Sequence, residues 1–164
     1  MWLGFLRHGI AEDLRPGLSD ADRDLTPEGR AEMARVGRGL LALDLRLDMI
    51  LTSPLKRAVE TADIVARSLK LQERVVINDQ LAYDFSWRAL QGMVERYPRA
   101  QRVLLVGHEP TLSATVSAMI GGGSLKLKKG SLAVVKTESI APGAGELTML
   151  VPPSVFGLSA EDRG

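Results

Sequence analysis

Apolar runs and helical periodicities alternate along most of the chain. Residues 2–6, WLGFL, form an uninterrupted apolar run of the kind a strand buried on both faces needs. A polar loop, 14–24, follows it. From Leu25 to Leu45 apolar positions recur at helical spacing, with Thr26 placed to cap and Pro27 at the first helical position. DMILTS (48–53) reads as a second strand, and 53–71 as a second helix with Ser53 as its cap and Pro54 behind it. RVVIN (74–78) is a third strand, a helix is expected within 84–97, and RVLLVGHE (102–109) is a fourth strand. Pro110 opens a further helix, PTLSATVSAMI.

After GGGS (121–124) the pattern changes to LAVVKTE and ELTMLV, two strand-like pieces joined by a Pro/Gly loop that favours antiparallel pairing. The expected fold is therefore α/β: a three-layer αβα sandwich with a mostly parallel central sheet and antiparallel C-terminal strands. No repeat or long linker divides the 164 residues, so one domain over 1–164 is expected, loosely held after about 152. In such sheets, ligands gather outside the carboxyl ends of the strands.

Composition narrows the function classes. Apolar residues make up 45% and charged residues 25%, which suits a domain with a full core. Twenty-one basic and 20 acidic side chains leave a net charge of +1, so no basic excess points to nucleic acid or an anionic membrane. Cysteine is absent, which removes disulfides and thiolate chemistry. The start, MWLGFLRHGIAED, has no basic leader or small-residue cleavage pattern, and no run reaches the ~18 apolar residues of a membrane span. A cytoplasmic location is expected.

The carboxyl edge holds the chemistry. Strand one ends in Arg7-His8-Gly9, strand two in Thr52-Ser53 with Arg57 one turn into its helix, and strand four in Gly107-His108-Glu109. A single histidine at a strand end is more often packing than catalysis. Here both histidines of the chain and two arginines fall at one edge, which packing does not require. Two histidines with Asp or Glu suggest a metal site, but the arginines would repel a divalent cation. The same arginines suit an anion, since guanidinium forks match phosphate oxygens and stay charged. A helix N-terminus after Glu109 would add backbone donors. Neighbouring arginine charge also disfavours imidazolium, so one histidine should be neutral and nucleophilic near pH 7. Attack on phosphorus would give a phosphohistidine intermediate that water then splits.

LRHG, SPLKRAVETA and VGHEP, with RDLTPEGR between the first two, resemble the signature set of the histidine phosphatase superfamily, which includes phosphoglycerate mutases. The resemblance runs over about residues 1–120. The short connections are most similar to the SixA-type phosphohistidine phosphatases. It implies that His8 is the phosphorylated nucleophile and that Arg7, Arg57 and His108 form the substrate's phosphate pocket, without metal or organic cofactor. The implied substrate is a phosphorylated protein carrying phosphohistidine, or a small phosphate ester.

Many members of the wider superfamily carry an acidic general acid in an insertion after strand three. NDQLAYDFSW offers only Asp79 and Asp84, both better suited to turns or caps, so no general acid is assigned. An alkoxide leaving group needs protonation, whereas imidazole, with a conjugate-acid pKa of about 6.5, leaves far more easily. A site without a strong acid therefore suits a P–N bond. Three readings stay open: a phosphohistidine phosphatase, a small-molecule phosphomonoesterase, and a non-catalytic phosphate- or phosphoprotein-binding module.

Overall fold

The computed structural model describes residues 1–157. The first apolar run becomes β1, Trp2–Arg7, with Leu3, Phe5 and Leu6 wholly buried. Helix α1 spans Pro27–Ala42 and ends short of the expected Leu45. Thr26 stays extended and its Oγ1 accepts from the Gly29 N–H at 3.0 Å, while Pro27 fills a position whose N–H would have no helical partner. Met33, Val36 and Leu40 give this helix its buried stripe.

Strand β2, Met49–Thr52, is buried throughout, and α2 runs over Lys56–Leu69. The helix begins later than expected, and Ser53 does not cap it. Its Oγ accepts from the Leu55 N–H at 3.2 Å, but Leu55 is itself extended, with φ −66° and ψ 132°. Leu55 turns its side chain into the core before the chain can coil, so the serine closes a turn ahead of the helix.

Strand β3 is Val75–Ile77, and α3, Trp87–Glu95, is capped by Ser86, whose hydroxyl accepts from the Ala89 N–H at 3.3 Å. Strand β4 covers Arg102–Gly107 and α4 covers Thr111–Met119, directly after Pro110. The last two strands are β5, Leu132–Thr137, and β6, Gly145–Val151.

The sheet has the order β3-β2-β4-β1-β5-β6. Its first four strands are parallel, and β5 runs antiparallel to both β1 and β6. Two apolar cores lie on its opposite faces. Leu3, Phe5, Leu51 and Leu105 pack with Leu90 and Met93 of α3 and Leu112 and Val116 of α4. Leu6, Ile50, Leu104 and Val106 pack with Met33 and Val36 of α1 and Ala62 and Val65 of α2. The fold is thus the expected α/β three-layer sandwich, mostly parallel with antiparallel C-terminal strands. Each fully buried aliphatic or phenyl side chain in these layers contributes about 1.5–3 kcal/mol. Among the described residues, no helix is long and apolar enough to cross a membrane.

The chain after 152 behaves differently from the expectation over its first residues. Pro153–Gly157 form a 3₁₀ turn, and Phe156 packs into the α1–α2 core. Its ring reaches α1 where Gly39 leaves room: a Cβ added there would lie 2.1 Å from the ring. Residues 158–164 lie outside the described part. Phe156→Ala should destabilise the protein by about 1–3 kcal/mol, less than a fully buried phenylalanine because the ring is only partly covered. Urea unfolding measures this, and an unchanged midpoint would mean that the turn does not hold to the core in solution.

Candidate active site

Strands β1 and β4 are neighbours, paired from Trp2 with Arg102 to Arg7 with Gly107. The backbone adds one rung beyond the ladder, with the His8 N–H donating to the Gly107 carbonyl at 3.1 Å. Both histidines therefore leave the sheet side by side, with ring centroids 5.0 Å apart and planes tilted by 52°. On the other side of β4, β2 delivers Ser53 and, through α2, Arg57. The segment before β5 closes the opposite flank. Ser131 accepts from the Arg7 N–H at 3.1 Å, and the Gly130 N–H reaches the carbonyls of both Arg7 and His8 at 3.1 Å. Gly130 holds φ at +75°, a left-handed conformation open to glycine, and a Cβ there would lie 2.5 Å from Met33 Cε.

His8 is 6% exposed. Its Nδ1 lies 2.7 Å from the Gly9 carbonyl, a contact that requires a proton on Nδ1 and leaves a lone pair on Nε2. The Arg57 Nε–H donates to that lone pair at 3.3 Å. Thr61, fully buried, fixes both sides of this arrangement. Its hydroxyl accepts from the Gly9 N–H at 3.1 Å and donates to the Arg57 carbonyl at 2.7 Å.

His108 is equally buried, with Nε2 2.8 Å from Ser53 Oγ and Nδ1 without a hydrogen-bond partner among the described residues. Arg7 donates through NH1 to the Leu127 carbonyl at 2.8 Å, and its buried Nε has no partner. It also forms one wall of a cleft of about 780 Å³ shared with Glu109, Ser113 and Lys126. The rest of the Arg57 guanidinium turns to the 14–24 loop. There NH1 donates to the Asp20 carbonyl and NH2 to Asp20 Oδ2 at 3.0 Å.

Burial is the largest influence on both rings. It drives His8 from the usual 6.5 down to about 3, with the nearby charges of Arg57 and Arg7 adding to the effect and the Gly9 carbonyl opposing it. His108 falls to about 4 through burial and the same two arginines, against the pull of Asp20. Both imidazoles are neutral at physiological pH. Burial pushes Asp20 up, but hydrogen bonds from Arg23 and Arg57 outweigh that and hold it below the usual carboxylate range. The site thus has two neutral rings, two guanidinium groups and an ionised carboxylate at its rim. That set can take up an oxyanion and present a lone pair to its central atom.

All four residues singled out in the sequence lie at this edge, and the charges of Arg7 and Arg57 bear on both rings. Asp79 and Asp84 are exposed, and neither bonds to them. The residues not foreseen are Asp20, Tyr83, Thr61 and the histidine-bound role of Ser53. Tyr83 donates its hydroxyl to Asp20 Oδ2 at 3.2 Å, joining Arg23 and Arg57 on the same carboxylate. RDLTPEGR marked the region near Asp20, but no pattern pointed to the aspartate itself. Among the described residues, no three of His, Asp or Glu gather as a metal-binding group.

Comparison with known proteins matches this geometry to a family. The profile of the histidine phosphatase superfamily (branch 1) matches residues 3–93, more than half of the chain. The chain belongs to the histidine phosphatase superfamily. It is 37% identical over 137 residues to an uncharacterized protein of Picosynechococcus sp., covering 80% of this chain and 82% of that one. The fold superimposes on the protein histidine phosphatase SixA complexed with tungstate at a TM-score of 0.84, with 22% identity, covering 94% of this chain and 99% of SixA. A protein from Agrobacterium tumefaciens, assigned as a phosphohistidine phosphatase of the SixA type, gives 0.77 at 28% identity, covering 93% and 98%. This histidine phosphatase is accordingly a SixA-like member of the superfamily and a phosphatase.

The depressed histidines couple stability to pH. Between their native values of about 3 and 4 and the usual 6.5, the unfolded chain binds protons that the native site refuses. Their contribution is complete above pH 6.5 and is lost as pH falls toward 4. Urea unfolding between pH 4.5 and 7.5 should show stability rising with pH, and His8→Gln or His108→Gln should each flatten the rise. Parallel curves for wild type and both variants would show that the rings titrate normally in the native state.

Proposed function

We propose that the protein hydrolyses phosphohistidine borne on another protein through a phosphorylated His8, without metal or organic cofactor. The observation that carries this reading is the Nε2 lone pair of His8. It is kept unprotonated by burial and set in one tautomer by the Gly9 carbonyl, with Arg57 directly at it. In the first step Nε2 attacks phosphorus while the substrate's P–N bond breaks; its electron pair leaves with the ring nitrogen, and a proton on the other nitrogen of the substrate ring makes the departing group a neutral imidazole. Water then attacks phospho-His8, releasing phosphate and returning the neutral ring. Arg7, Arg57 and His108 stabilise the charge on the equatorial oxygens.

Three further points favour phosphohistidine over an alkyl ester. Asp20 is ionised and bound by Arg57, Arg23 and Tyr83, so it has no proton to give a departing alkoxide. Glu109 is tied down through Oε1, which accepts from Ser113 and, at 3.2 Å, from the Leu127 N–H. The SixA likeness spans nearly the whole of both chains, and the Agrobacterium tumefaciens neighbour is named for phosphohistidine.

His8→Ala should abolish turnover and any acid-labile phosphoenzyme while the protein stays folded. Arg57→Ala should lower kcat/KM by roughly 10²-fold or more. Radiolabelled phosphohistidine protein, quenched within one turnover, reads both effects. Label retained on His8→Ala would place the nucleophile elsewhere. Turnover should also survive exhaustive chelation.

A leaving-group series separates the readings. Phosphohistidine and activated aryl phosphates should phosphorylate His8 much faster than phosphoserine or sugar phosphates, because the pocket holds only the group they share. A flat series points to a small-molecule phosphomonoesterase with an acid in place, and no turnover with any of them points to a binding module.

A further inference from the structure

Ser53 has a job in this pocket that its place at the end of β2 does not require. Its hydroxyl is fully buried and has two polar neighbours, the Leu55 N–H at 3.2 Å and His108 Nε2 at 2.8 Å. The Leu55 amide is an obligate donor, so it occupies a lone pair on Oγ. The hydroxyl proton then has one acceptor within reach, which is Nε2. The reverse arrangement, with Nε2–H donating to Oγ, would fill both lone pairs of the oxygen with N–H donors, which a hydroxyl permits. It would, however, leave the serine proton buried without an acceptor, with no bond to offset its lost hydration. A neutral imidazole that accepts at Nε2 carries its proton on Nδ1. His108 Nδ1 is the buried atom without a hydrogen-bond partner among the described residues, in a ring 5.0 Å from that of His8.

We propose that Ser53 is a positioning residue that holds the His108 proton on Nδ1, turning a neutral imidazole into a fixed hydrogen-bond donor for the phosphoryl group. This rests on the reading of the pocket as a phosphate site. The two histidines resemble each other in sequence setting but are locked in complementary ways. The Gly9 carbonyl accepts from Nδ1–H of His8 and leaves the lone pair on Nε2, while the Ser53 hydroxyl donates to Nε2 of His108 and leaves the proton on the buried Nδ1. One ring is thereby prepared to attack and the other to stabilise charge. The arrangement needs no protonated histidine, so it works at a pH where the nearby Arg7 and Arg57 charges would oppose imidazolium. Without Ser53, the ring is free to place its proton on Nε2 and turn the Nδ1 lone pair toward the phosphate oxygens, where it repels them.

The test is tautomer assignment by long-range ¹H–¹⁵N correlation on ring-labelled wild type, Ser53→Ala and Ser53→Thr, with tungstate binding and steady-state kinetics on the same samples. In wild type at pH 7, His108 should show a protonated Nδ1 and an unprotonated Nε2, and His8 should show the same pattern through its own partner. Ser53→Ala should shift His108 toward the Nε2–H form and leave His8 unchanged. It should also weaken tungstate binding and lower kcat/KM by about tenfold or more, equally for good and poor leaving groups. Ser53→Thr keeps the hydroxyl and should restore all three. A wild-type His108 protonated on Nε2 would overturn the proposal, and so would an Ser53→Ala protein that keeps the Nδ1–H tautomer. The wild-type spectrum decides even if Ser53→Ala fails to fold. Because tautomer and tungstate binding are read without turnover, failure of the phosphohistidine reading would appear only in the kinetics.

Discussion

The site hangs on the parallel pairing of β1 with β4. One backbone bond beyond the last ladder pair, from the His8 N–H to the Gly107 carbonyl, sets the two RHG- and GHE-bearing turns at the same height. Side chains alternate across a strand, so this register also decides which layer each residue meets. His8 shares the parity of Leu6, which packs with α1 and α2, and it is Arg57 of α2 that reaches its ring. Arg7 has the opposite parity, that of Phe5, and its side chain lines the cleft beside Ser113 of α4. A slip of one residue between these strands would exchange the two faces and separate every partner. The pocket is therefore assembled from both helical layers at once, above the sheet edge between them.

The electrostatic balance follows from that placement. Two guanidinium groups beside two buried imidazoles would be costly if the rings had to be charged, and burial with arginine charge keeps them neutral. Asp20 offsets Arg57, and Glu109 offsets Arg7. On the proposed reading an arriving oxyanion would meet Arg57 already oriented, but it would have to share that guanidinium with Asp20 or displace the carboxylate from it. Preorganisation and competition come from the same contact.

The fold was largely legible because its cues are local. Short apolar runs and period-3.6 patterns, Thr26, Pro27 and Pro110 each mark an element within a few residues of where it lies. The four site residues were legible for a different reason: the topology rule carries the ends of β1, β2 and β4 to one edge, and chemistry-bearing residues stood at all three. What escaped depends on contacts between distant segments. Asp20 sits in a loop without periodicity and bonds to a residue 37 positions away, partly through its backbone carbonyl, which every residue type possesses. Ser53 before Pro54 has the appearance of a helix cap, and only the neighbouring strand shows that its hydroxyl serves His108, 55 positions on. Phe156 docks against Gly39 across most of the chain, so its tail carried no local sign of order.

These missed contacts bear on the substrate more than the recognised motifs do. On the proposed reading Arg7, His8, Arg57 and His108 would hold any phosphoryl group, so they say little about what it departs from. The carboxylates say more, because a general acid must hold a proton at working pH and face the leaving atom. Asp20 is held ionised by its donors, Glu109 accepts two hydrogen bonds, and Asp79 and Asp84 lie exposed outside the hydrogen-bonded cluster. On the proposed reading, the pocket provides strong charge stabilisation and little proton donation. That combination discriminates by leaving-group basicity alone: the same equatorial contacts that would accelerate loss of imidazole leave an alkoxide without the proton it needs. Selectivity for a P–N bond would then require no recognition of the histidine side chain itself, and a substrate protein need only present its phosphorylated ring to the open rim.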